Sequence, residues 1–288
     1  MMGTIAKNWK DLSGENNWKG LLSPLNLDLR RYLIHYGERV AAAEYAFNYR
    51  KASKGYGYSL YPPEYFFTNL WLQNGNPYKY VVTSFFYALE ETKEDRKSVW
   101  MGYVAVTTDE GKNVLGRRDI LVCWRGTMTQ SEWEKDVESD LVAAKDLLGK
   151  GDNPKVHSGF YSIYTASSED TPFSKISARD QILEEVKKQM EKYKDEEISI
   201  SVSGISLGAS LATLTAIDIV ANGYNTKPVG GTCMVTALAF ASPRIGDAGL
   251  KKMFSGLDNL HILRVTDMLD NVPSYPPLEW GYVDLGED

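Results

Sequence analysis

The chain has 288 residues, 43% hydrophobic and 24% charged, which is enough apolar material for a packed core and excludes a chain disordered by composition. The formal net charge of −6, with no run of five like charges, speaks against a nucleic-acid partner. No stretch approaches 18 apolar residues, the N-terminus lacks a signal-peptide core, and Lys7 stands where a myristoylation signal needs Ser or Thr. The expectation is a cytoplasmic protein that does not span a membrane.

In chain order, Leu29, Leu33, Tyr36, Val40 and Ala43 recur at helical steps and predict a helix over 25–48. Residues 52–80 are rich in aromatics and turn formers and read as an irregular arm. The pattern then changes. Residues 101–110 and 119–126 read as strands separated by the turn-prone EGKN. A helix is predicted from Ser177 to Lys194, with Ile182, Val186, Met190 and Tyr193 as its apolar stripe and Ser177 and Asp180 at capping-box spacing. Then come a strand over 198–204, a helix over 206–221, a strand over 234–242, a short helix near 247–254 and a strand over 260–266. Alternating strands and helices predict a mostly parallel sheet covered by helices, with ligands at the carboxyl ends of the strands. Cys123 and Cys233 sit in apolar runs and read as buried free thiols, which fits a reducing compartment.

The most informative residues are Gly204-Ile205-Ser206-Leu207-Gly208, the G-x-S-x-G pattern of a nucleophile elbow. The pattern alone is common, and an ordinary glycine turn is the bland alternative. Its context fits the chemistry. A strand carrying Ile198, Ile200 and Val202 ends just before it, and a helix with small residues at 208, 209, 210 and 212 begins just after it. The glycines two residues either side let the backbone close, and the helix N-terminus offers N–H groups to a developing oxyanion.

At this point the sequence resembles the plant class 3 lipases, specifically their cytosolic, type II-like phospholipase A1 group. The likeness is carried by WKDLSGENNWKGLL, PLNLDLRRYLIHYGE, MGYVAVTTDEGKNVLGRRDILVCWRGT, KVHSGFYSIY, SLGASLATLTAIDI, FASPRIGD and HILRVTDMLDNVPSYP, in that order. It runs from about Ile5 to the last residue. The resemblance implies one α/β-hydrolase domain over 1–288, with a helical and irregular N-terminal arm over about 1–98. It also implies a Ser-Asp-His triad that cleaves the sn-1 acyl ester of a phospholipid or another acyl lipid, with transient contact at a membrane surface and no cofactor. Ser206 matches the nucleophile, and Asp270 the triad acid, with Asp267 as its neighbouring competitor. A capped turn before Pro273 is the alternative for both aspartates, since Asp is a common turn residue. Thr127 matches an oxyanion position, its N–H acting with that of Leu207; a plain turn after a strand is the alternative. Between Thr127 and His157, the spacing of Val137, Leu141, Ala144 and Leu148 predicts one helix, either a lid that lifts on lipid or a helix packed permanently, with Trp133 able to anchor either.

The chain departs from the family pattern twice. Ile205 stands where many relatives carry histidine, which loses a hydrogen-bonding group beside the nucleophile. Further, no histidine follows Asp270, whereas in the family a later segment supplies the triad base. The expectation is a chain that stops before its last C-terminal elements. His157 is the stand-in to consider; His35 belongs to the N-terminal helix, and His261 begins a strand. The functional expectation is an acyl-ester hydrolase, the alternative a catalytically inactive lipid-binding or regulatory protein, and a third reading an acyltransferase. Three scattered histidines offer no metal-ligand spacing, and no phosphate loop or dinucleotide fingerprint is present.

Overall fold

A computed structural model describes residues 4–91, 96–149, 153–228 and 230–288, without the side chains of Gln130 and Trp133. Trp133 as an anchor therefore lies outside the described residues. Two helices lead, α1 (Thr4–Leu12) and α2 (Leu27–Ala46), followed by turns and the short α3 (Phe66–Asn69). Next come β1 (Tyr80–Glu91), β2 (Arg96–Thr107), α4 (Asp109–Leu115) and β3 (Arg118–Trp124). The middle of the chain holds α5 (Gln130–Val137), β4 (Leu141–Ala143), α6 (Lys145–Leu148), β5 (Lys155–His157), α7 (Ser158–Thr165) and α8 (Ala178–Lys192). The last part holds β6 (Ile198–Ile205), α9 (Leu207–Ala221), β7 (Met234–Phe240), β8 (Gly246–Asp247), α10 (Ala248–Ser255), β9 (Leu260–Val265) and β10 (Tyr282–Val283).

The central sheet runs β1-β2-β3-β6-β7-β9. The first three strands pair antiparallel, and β3, β6, β7 and β9 run parallel. Strand alternation splits the core in two. Ile200 and Val202 of β6 and Val122 of β3 pack under α8 and α9, through Ile182, Val186, Leu211 and Leu214. Leu121 and Cys123 of β3, with Leu238 and Leu263, pack against α2 through Leu29, Tyr32, Tyr36 and Val40. A smaller antiparallel sheet runs β10-β8-β5-β4. Both cysteines are free and buried, and burial pushes each thiol up to about 12.

A buried polar knot ties the N-terminal arm to the sheet. Asp119 of β3 accepts hydrogen bonds from Tyr36 (2.9 Å), Tyr80 (2.7 Å), Ser199 (2.7 Å) and Ser201 (2.7 Å). Arg117 lies 3.6 Å away and donates to Ser199, Tyr32 and Tyr36. Asp119 and Arg117 are both fully buried, and hydroxyls together with the Leu115 carbonyl satisfy the pair in place of water.

Three expectations need correction. EGKN is part of α4, not a turn: the Thr108 side chain caps the Gly111 N–H, Asp109 and Glu110 favour the first turn, and the Gly116 N–H closes the helix on Lys112. The stretch up to residue 98 is not only helical and irregular, because β1 and the start of β2 belong to the central sheet. Finally, Val137, Leu141, Ala144 and Leu148 do not share one helix. Val137 ends α5 and is exposed, Leu141 sits in β4 opposite His157 of β5, and Ala144 and Leu148 are buried at and in α6. Helical spacing arises here by chance across three short elements, of which only α6 and the residue before it send these apolar side chains into the core.

Candidate active site

Ser206 sits between the last residue of β6 and the first of α9. Its backbone has φ 54° and ψ −124°, a region that side-chain-bearing residues avoid, at a cost of about 1–3 kcal/mol. The surroundings hold it there. Its N–H donates to the Phe240 carbonyl of β7 (2.9 Å), and its carbonyl accepts from Ala209 and Ser210 (3.0 and 3.2 Å). The flanking glycines are required by close approach. A Cβ on Gly204 would strike the Gly208 carbonyl, and one on Gly208 would strike the carbonyls of Arg125 and Trp124 at the end of β3. The Ser206 hydroxyl is partly exposed and makes no hydrogen bond to any described residue. Leu207 opens α9, so its N–H is one of the first-turn donors that no helix carbonyl satisfies.

The loop after β3 faces this elbow: a Cβ on Gly126 would lie 3.1 Å from the Ile205 carbonyl. It is built on charge. Arg125 is fully buried and pairs with both carboxylate oxygens of Glu132 (2.5 and 2.9 Å). It also donates to the Trp100 carbonyl at 2.7 Å and stacks over the Phe47 ring. Burial works against the Glu132 carboxylate, but Arg125 and the N–H groups of Met128 and Thr129 outweigh it and hold the carboxyl below its ordinary range. Thr129 and Glu132 complete a capping box at the start of α5. The Thr127 hydroxyl donates to Asp136 at 2.6 Å. Burial pushes the Asp136 carboxyl up to about 6, against the Thr127 bond. Glu44 of α2 accepts the Gly126 N–H, and burial raises its carboxyl as well.

Asp270 lies in the loop after β9, which runs parallel to β3 and β6, so it follows a strand's carboxyl end as Thr127 and Ser206 do. Its carboxylate accepts the Val272 N–H at 2.9 Å, while Asp267 accepts from Leu269 at 2.9 Å. Among the described residues neither aspartate is hydrogen-bonded to a histidine. His157 is buried in the smaller sheet, its ring stacked on Phe160 at 3.8 Å, with neither nitrogen hydrogen-bonded. Burial pushes it down to about 4. His35 is buried in α2 and bonded to the Tyr80 hydroxyl (3.2 Å), and His261 lies in β9. The structure therefore brings Ser206, Leu207 and the 126–129 loop together and joins no histidine to them.

An apolar groove of about 570 Å³ opens beside the elbow, lined by Val40, Ala41, Tyr45, Met128, Ile205 and Phe240, among others. Ile205 thus contributes apolar surface to the groove. Among the described residues no group of three or more His, Cys, Asp or Glu could hold a metal ion. No helix among them is long and apolar enough to cross a membrane. Sequence reasoning missed Glu44, Glu132 and Asp136. Glu132 is legible as the last residue of a T-x-x-E capping box, whereas Glu44 and Asp136 carry no local signal.

Comparison with known proteins agrees with this geometry. Residues 121–280 match the class 3 lipase family. The chain is 48% identical to phospholipase A1-IIgamma of Arabidopsis thaliana, over 99% of this chain and 72% of that protein. It is 47% identical to phospholipase A1-II 4 of Oryza sativa subsp. japonica, over 98% and 73%. Among solved structures it resembles Lip2 lipase from Yarrowia lipolytica, with a TM-score of 0.58 and 20% identity over 91% of this chain and 79% of that one. It also resembles the mono- and diacylglycerol lipase from Aspergillus oryzae, with a TM-score of 0.56 and 22% identity over 87% and 75%. At that identity the likeness concerns the fold, which is the α/β-hydrolase fold. By its matched segment and its relatives across nearly its whole length, the chain belongs to the class 3 lipase family.

Proposed function

We propose that this chain is a phospholipase A1-like serine hydrolase that cleaves the sn-1 acyl ester of phospholipids. The observation that carries the reading is the strained Ser206 turn, held between β6 and α9 by glycines that nothing larger can replace. Ser206 Oγ attacks the ester carbonyl carbon and passes its proton to a general base, a group that no described residue supplies, while the carbonyl oxygen takes the negative charge. The N–H groups of Thr127 and Leu207 stabilise that oxyanion; losing one such donor costs about 10²–10³ in turnover in other hydrolases. Collapse of the intermediate breaks the ester C–O bond: the lysophospholipid leaves as an alcohol with the proton that the base returns, the acyl group stays on Ser206, and water deprotonated by the same base releases the fatty acid and restores the serine hydroxyl. Asp270 is the acid that orients the base. The substrate meets the protein at a membrane surface, and the reading includes one α/β domain over 1–288, with its N-terminal arm, in the cytoplasm.

One observation favours a second reading, a lipid-binding protein without turnover: no described residue accepts the Ser206 proton. Both are tested by fatty-acid release from phosphatidylcholine vesicles by the 288-residue chain beside Ser206→Ala, with labelling by a fluorophosphonate probe. Serine-dependent release of the sn-1 chain supports the hydrolase. Equal release by Ser206→Ala removes Ser206 from the mechanism, and neither release nor labelling supports the second reading.

A further inference from the structure

The loop that faces the elbow has four backbone N–H groups from Gly126 to Thr129, and carboxylates take three of them. Glu132 accepts those of Met128 and Thr129 at 2.8 and 3.1 Å, and Glu44 accepts that of Gly126. Among the described residues, the Thr127 N–H is the one of the four left without an acceptor. The Gly126 carbonyl, which belongs to the same peptide plane as the Thr127 N–H, accepts from Arg125 Nη1 at 2.7 Å. Gly126 is therefore held from both sides, its preceding peptide by Glu44 and its following peptide by Arg125. A glycine carries no side chain to restrict its two dihedrals, so those two clamps set them. The carbonyl clamp turns the Thr127 N–H to the opposite side of its plane. Glu44 belongs to α2, outside the segment 121–280 that matches the family, and its contact to Gly126 spans 82 residues of sequence. A carboxylate accepting an N–H is a charge-assisted bond, roughly twice as strong as a neutral one. Arg125 cannot replace it, since a guanidinium has only donors and the Gly126 N–H needs an acceptor.

We propose that Glu44 is a positioning residue for oxyanion stabilisation: by holding the Gly126 N–H it fixes the direction of the Thr127 N–H, so the N-terminal arm is part of the site. This rests on the reading of Thr127 as an oxyanion donor and Ser206 as nucleophile. The test uses the full chain as wild type, Glu44→Ala and Glu44→Gln, with thermal unfolding to show that each variant is folded. Two readouts are taken: the rate of fluorophosphonate attachment to Ser206, and the amide proton shift of Gly126 in ¹⁵N-glycine-labelled protein. Glu44→Ala slows attachment about 10- to 100-fold, the range for a reacting group misplaced by up to 1 Å. It also moves the Gly126 amide proton upfield. Glu44→Gln, whose amide oxygen still accepts the N–H, restores the rate to within about threefold, since a neutral acceptor keeps the geometry. Attachment in Glu44→Ala as fast as in wild type, or an unmoved Gly126 proton, overturns the proposal. If wild type does not label at all, the hydrolase reading falls, and the Gly126 shift still decides whether Glu44 holds the loop. If Glu44→Ala does not fold, the same two readouts on Glu44→Gln and Glu44→Asp decide, because the shorter Asp keeps the charge and loses the reach; equal rates and shifts in both overturn it.

Discussion

The Ser206 turn makes a prediction that separates backbone strain from chemistry. At φ 54° and ψ −124° any residue with a Cβ is strained, whether or not it carries a hydroxyl. Ser206→Ala therefore keeps the strain, and Ser206→Gly releases it. The release is worth about 1–3 kcal/mol. Against it, glycine widens the unfolded ensemble at a cost of about 0.4–1 kcal/mol. The serine side chain is partly exposed and has no hydrogen-bond partner among the described residues, so its loss removes little packing. The balance favours Ser206→Gly over Ser206→Ala by about 1 kcal/mol. With about 0.6 kcal/mol/K of unfolding entropy for a chain of this length, that is a shift of about 1.5–2 °C in Tm. The assay is parallel thermal unfolding by circular dichroism, with urea titration to check that the denaturant slope is unchanged. Neither variant hydrolyses ester, and only the glycine variant is more stable than wild type. A Ser206→Gly protein that melts at or below Ser206→Ala refutes the claim that the fold stores strain at this residue.

Asp119→Ala leaves Arg117 buried without its carboxylate and four hydroxyls without their acceptor, so urea denaturation should show a loss of about 3–5 kcal/mol. A loss under 1 kcal/mol would mean that water enters the knot. Asp136 binds its proton more tightly in the folded state, about 6 against an ordinary 3.8, so its contribution is fully present below the ordinary value and is lost as pH rises to about 6. Asp136→Asn should thus gain on wild type, in Tm, between pH 4 and pH 7; an unchanged difference across that range contradicts the burial argument. His157 has the opposite sign. Burial holds its pKa at about 4, so from the ordinary 6.5 downward the unfolded chain takes up the proton first and stability falls with pH. His157→Phe, stacked on Phe160 and with no hydrogen bond to lose, should remove that acid sensitivity and leave fluorophosphonate labelling unchanged; slowed labelling would place His157 in the reaction.

Much of the fold was legible because its signals are local. The apolar period of α2, the Ser177 cap of α8 and the alternation of β6 each depend on residues within one or two turns of each other. The elbow belongs to the same class, since Gly204, Ser206 and Gly208 must meet within five residues, and the strand before and helix after them are local too. The resemblance to class 3 lipases added Thr127 and Asp270, placed on the loops after β3 and β9.

Local pattern also misled where two structures share one signature. Thr108 and the acids after it suit a turn or a helix cap, and in the structure the Thr108 side chain caps α4 and Gly116 closes it. Residues 137–148 have helical spacing, yet β4 pairs with β5 because the partner strand is supplied by chain that comes later. What only the tertiary structure decided is how the site is held. Glu44 meets Gly126 across 82 residues, and Tyr36 meets Ser201 across 165. Neither glutamate nor glycine carries a mark of that meeting in its neighbours, because the contact exists only once α2 lies against the ends of β3 and β6. The sequence alone therefore determined that a serine stands on an elbow between strand and helix. Packing of the N-terminal arm decided that the Gly126 N–H, in the loop facing that serine, is bound by Glu44.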